Sequence, residues 1–104
     1  MREQRIKALQ EMLSSDPDDE FALYGLALEY KADGRLEDAL PLLEKAAAQP
    51  DPQVYTFYQL GEVLIALAEE DDAITALEQG LARASASGDA KAVNEFAALL
   101  GTVR

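Results

Sequence analysis

Cysteine and histidine are both absent from this chain. Without cysteine there is neither a disulfide framework nor thiolate chemistry. Without either residue, acid–base or nucleophilic catalysis would have to be assembled from carboxylates, lysine, serine or tyrosine placed in a pocket. No apolar run is long enough for a membrane span, and the opening MREQRIKALQEML is charged and amphipathic rather than signal-like, so a cytoplasmic protein is expected. There is no glycine-rich phosphate loop and no basic stripe, which leaves nucleotide and nucleic-acid binding unsupported. No stretch alternates with period two, so no strands are expected. Positive charge is also scarce: 9 lysines and arginines stand against 20 acids, a net charge of −11.

What is present is ordinary globular material. At 104 residues, 49% apolar and 28% charged, the chain is too hydrophobic to be disordered and has about the length of a single domain. Twelve of the acids fall where helices are expected to start: Asp16, Asp18, Asp19, Glu20, Glu37, Asp38, Asp51, Glu69, Glu70, Asp71, Asp72 and Asp89. There a carboxylate complements the helix dipole and accepts from free N–H groups, worth about 0.3–1 kcal/mol each when exposed. Helix starts thus account for most of the acidity. The remaining field repels nucleic acid and anionic membranes and favours a basic partner; a salt-rich cytoplasm would select the same balance.

A fixed interval of 34 residues runs through the sequence. It links Ile6, Leu40 and Ile74; Leu9, Leu43 and Leu77; Leu23 and Phe57; Leu26 and Leu60; and Ala39 and Ala73. A period of this length marks a helical solenoid, whose units bury their apolar faces only against neighbours. Residues 3–14 place Ile6, Leu9 and Leu13 on one helical face. Asp16-Pro17 and Asp51-Pro52 read as an N-cap followed by proline at the first helical position, opening helices over 17–33 and 52–67. Second helices follow over 36–49 and 70–86. Gly34 can take the left-handed conformation that ends the first of these pairs' leading helices, whereas Ala68-Glu69 lacks the glycine. Pro41 is expected near a first turn, where a missing N–H costs little. Ser87-Gly88-Asp89 breaks the chain before a last helix striped with Val93, Phe96, Leu100 and Val103.

These residues resemble the tetratricopeptide repeat family, whose unit is a helix-turn-helix of this period. The first copy carries the pattern as Leu23, Leu26, Ala27, Tyr30, Gly34, Ala39, Leu43, Ala46, and the second as Phe57, Leu60, Gly61, Leu64, Ala68, Ala73, Leu77, Gly80. The small residues are expected to let two backbones approach while large ones fill the space beside them. The family's frequent tryptophan is Leu23 and Phe57 here, one glycine is Ala27, one tyrosine is Leu64, and the closing proline is displaced or replaced by Ser85. The resemblance implies an all-α, right-handed helical-hairpin solenoid of about six antiparallel helices forming one domain over 1–104. In that reading 20–53 and 54–87 are full repeats, 3–14 has the phase of a repeat's second helix, and 89–103 is a capping helix. The last helix fits the register only with five residues inserted before it, which aligns Phe96 with Phe57.

Each leading helix has two apolar faces. Leu23, Leu26, Ala27 and Tyr30 point one way while Phe21, Tyr24 and Leu28 point the other; one unit on, Phe57, Leu60, Gly61 and Leu64 oppose Tyr55, Tyr58 and Ile65. Only one face can pack on the paired helix. The resemblance implies that the other lines a concave groove for a partner's peptide or helix, making Phe21, Tyr24, Leu28, Tyr55, Tyr58 and Ile65 the candidates, with Lys31, Gln59 and Glu62 as polar company. The structural alternative is that some of these rings pack between leading helices or beneath the last helix. Family members that grip C-terminal carboxylates of chaperone tails use lysine, arginine and asparagine at places that here hold Tyr24, Leu28 and Gln59 and, on the last helix, either Asp89 and Val93 or, with the insertion counted, Asn94 and Ala98. With no cationic pair there, such docking is not expected and an apolar or basic segment is. A structural unit that self-associates through the apolar face or the solenoid ends is the other class of function, with the chain a monomer or weak homodimer. No enzyme activity, cofactor or metal is expected: Glu29 and Asp33 share a face as solvated pairs commonly do, and Glu69–Asp72 lacks the spacing of a calcium loop.

Overall fold

A computed structural model describes all residues, Met1–Arg104, as six α-helices without strands. These are α1 (Arg2–Ser15), α2 (Glu20–Ala32), α3 (Leu36–Ala47), α4 (Val54–Ala66), α5 (Glu70–Ala86) and α6 (Ala90–Leu100). They fall into two compact units, Met1–Pro52 and Gln53–Arg104. In the first, α2 packs on both α1 and α3; in the second, α5 packs on α4 and α6, and α6 also touches α4. Within each unit, successive helices thus pack side by side, consistent with helical hairpins.

One backbone device ends α2, α4 and α5. Gly34, Ala68 and Gly88 take φ values of 75°, 63° and 72°. In each case the following N–H reaches back five residues: Arg35 to the Tyr30 carbonyl at 2.8 Å, Glu69 to Leu64 at 2.8 Å and Asp89 to Ala84 at 3.0 Å. This satisfies carbonyls that a helix end would otherwise leave bare. Ala68 performs it without the glycine that removes the Cβ clash.

Both Asp-Pro pairs lie outside the helices they were expected to open. Asp16 is the extended residue that ends α1, with φ −141° and ψ 94°, as a following proline favours. Its side chain accepts from the Asp18 N–H at 3.2 Å, making a local turn, and the cap of α2 is Asp19, which accepts from Ala22 N at 3.1 Å. Asp51 is not the N-cap residue either; α4 starts at Val54 behind Gln53. Pro41 stands inside α3 beyond its first turn, where the ring removes a backbone bond. The inserted five residues are helical: α5 has 17 residues against 12 in α3, so it runs on by about 7.5 Å at the usual rise.

The core follows the register. Leu23, Leu26, Ala27, Tyr30, Ala39, Leu43 and Ala46 are buried in the first unit, and Phe57, Leu60, Leu64, Ala73, Leu77, Phe96 and Leu100 in the second. At Gly61 and Gly80 the missing Cβ makes room for side chains rather than for bare backbone. A Cβ on Gly61 would lie 2.4 Å from Leu77 Cδ2, and one on Gly80 would lie 2.3 Å from Phe96 Cε1 and 2.8 Å from Phe57 Cβ.

Candidate functional site

In the first unit, the packing of α2 leaves one helix face outward. Leu23, Leu26 and Ala27 are turned into the core, with Tyr30 held there by the Gln10 amide, which donates to its hydroxyl at 2.9 Å, and by the Arg35 guanidinium, 4.2 Å over its ring. Phe21 remains 68% exposed, and Tyr24, Leu28 and Lys31 are half-buried. A phenyl ring left in water sacrifices about 1.5–3 kcal/mol of available burial, so this is the face's most costly feature.

The pair Glu29 and Asp33 serves the helix contact. Arg5 reaches Glu29 at 2.9 Å, and Arg2 reaches Glu29 at 3.6 Å and Asp33 at 3.4 Å. These exposed pairs hold α1 to α2 with a modest contribution.

In the second unit the corresponding face is built in layers. Gly80 on α5 leaves space, and the fully buried Phe96 ring of α6 enters it. Tyr55 and Tyr58, one helical turn apart on α4, lie over that ring: their centroids stand 6.5 Å and 5.4 Å from Phe96 and 6.2 Å from each other. The Tyr55 hydroxyl donates to the Glu95 carboxylate on α6. That hydrogen bond, followed by burial, pushes the Tyr55 pKa up to about 12, because ionising the phenol would lose the donor and set two anions together. Burial, then the nearby charges of Glu62 and Glu95, raises Tyr58 as well.

All nine sequence-derived candidates therefore reach the surface at least in part: Phe21 is exposed, and Tyr24, Leu28, Lys31, Tyr55, Tyr58, Gln59, Glu62 and Ile65 are half-buried. Phe21, Tyr24, Leu28 and Lys31 share α2, and the other five share α4. Tyr55 and Tyr58 do not stand free, since part of each ring is spent on Phe96. Glu95 had not been among the candidates. Its only signal in the sequence is its place beside Phe96, and the tyrosine it meets lies 40 residues away.

The acidic turn Ala68–Asp72 borders an open depression, but no three acidic side chains converge into a group that could hold a metal ion. No helix is long and apolar enough to cross a membrane. Comparison with protein-family models, curated proteins and solved structures gives no match to this chain.

Proposed function

We propose that this chain is a protein-interaction module of the tetratricopeptide kind, binding a peptide segment or helix of a partner through the outward face of a leading helix, that of α2 in the first unit and, taken by itself, that of α4 in the second. The observation that carries this reading is Phe21, 68% exposed beside the half-buried Tyr24 and Leu28 on a helix whose opposite face is fully buried. Aromatic side chains supply rigid apolar area and dominate many interface energies. The charge of −11 selects against acidic segments and for apolar or basic ones.

The test is fluorescence anisotropy with a panel of labelled apolar, basic and acidic peptides, using wild type and the double substitution Phe21→Ser, Tyr24→Ser. Apolar or basic peptides bind wild type, and the double variant binds them roughly tenfold or more weakly while its melting temperature stays within a few degrees. Unchanged affinity in the variant, or a preference for acidic peptides, overturns the proposal.

A further inference from the structure

We infer that the α4–α6 face of the second unit receives a cationic side chain of the partner, arginine above lysine. This rests on the binding role proposed above and names the chemistry it selects.

Two half-buried tyrosines, Tyr55 and Tyr58, form the floor, fixed by Phe96 beneath them. Aromatic faces carry negative potential and attract a cation placed within about 6 Å of the ring. Carboxylates stand around that floor. Glu95 accepts from Tyr55, Glu95 and Asp89 both act on the Tyr55 ring, and Glu62 and Glu95 act on Tyr58. The Tyr55 hydroxyl occupies one acceptor site of Glu95 and holds it in place, and an ionised carboxylate has about three more to offer.

The surrounding charge points the same way. Residues 53–104 contain eight acids and three bases, and one of those bases, Arg104, is engaged with Glu78 at 2.6 Å. A purely apolar ligand would cover the rings but offer no charge to Glu95, and an acidic one would be repelled. A guanidinium can stack on a ring and present paired donors to a carboxylate together, which an ammonium cannot do. The ligand chemistry that meets the rings and Glu95 at once is therefore arginine in an otherwise apolar segment.

Three labelled peptides, identical leucine-containing segments with arginine, norleucine or glutamate at one central position, test this by anisotropy with wild type, Glu95→Gln and Asp71→Asn. Asp71→Asn removes an equal charge from the acidic start of α5 and controls for the general field. The expected result is that wild type prefers arginine to norleucine by roughly tenfold, that Glu95→Gln loses most of this preference, and that Asp71→Asn keeps it. NMR should then place the arginine peptide's shifts on the Tyr55 and Tyr58 rings. Equal binding of arginine and norleucine peptides overturns the cation site and leaves the binding role standing. Binding of none of the three overturns both. A preference that Glu95→Gln retains, or that Asp71→Asn loses equally, assigns it to the overall charge and overturns the site.

Discussion

Phe21 and Tyr55 occupy the same place in the 34-residue unit, as do Tyr24 and Tyr58, yet their surroundings differ. Phe21 lies 68% exposed at the start of α2, whereas Tyr55 is half-buried, lies near the Phe96 ring and donates to Glu95. The difference arises from their neighbours. In the second unit α6 lies beside α4, and Gly80 gives its Phe96 a seat; the matching residue in α3 is Ala46. A repeated sequence position therefore fixes which way a side chain points, while the adjoining helix decides how much of it stays available.

The most damaging way to break the comparison is to close the seat. Gly80→Ala sets a Cβ against Phe96 and against Phe57 Cβ, an atom anchored too near its backbone to swing aside. Overpacking, partly offset by alanine's better helix propensity, should cost about 2 kcal/mol in urea unfolding and loosen Tyr55 and Tyr58 along with Phe96. Stability equal to wild type would mean that Phe96 does not depend on that space.

A smaller effect, of opposite sign in the two copies, is expected at the helix-ending turns. Gly34 and Ala68 share a left-handed backbone, so Gly34→Ala should destabilise and Ala68→Gly should stabilise, each by about 1 kcal/mol. Changes of the same sign at both would show that the two turns are not equivalent.

The last contrast is silent at neutral pH and appears only in alkali. The folded chain holds the Tyr55 proton to about pH 12, whereas the phenol's ordinary value is 10.0. Unfolding between those values releases a proton, so the stabilisation present below pH 10 is lost as the pH rises toward 12. Alkaline absorbance titration should show a late-ionising tyrosine in wild type that moves toward 10 in Glu95→Gln. If the titrations coincide, the Tyr55–Glu95 bond does not hold α6 to α4 in solution.

Much of this architecture was legible from local pattern. The interval placed Leu43 and Leu77, Ala39 and Ala73 in the core, because helical periodicity and side-chain size are properties of short segments. The α5 boundaries and the role of Gly34 were equally readable. Asp16-Pro17 and Asp51-Pro52 misled because the pair satisfies a turn as well as a helix start, and the competition between Asp16 and Asp19 is settled by three-dimensional geometry. The five inserted residues were detectable too, and the helix read over 70–86 already ran through them.

By itself the sequence determined that the chain is helical, where its six helices lie to within a few residues, which face of each leading helix is buried, and how strongly acidic the surface is. Those properties depend on neighbours along the chain and on composition. Only the tertiary structure decided that Phe96 would lie beneath Tyr55 and Tyr58, that Glu95 would accept the Tyr55 hydroxyl, and that Glu29 and Asp33 would face the arginines of α1. These contacts join residues tens of positions apart, and their geometry is set by the space a glycine leaves and the direction in which each turn sends the next helix.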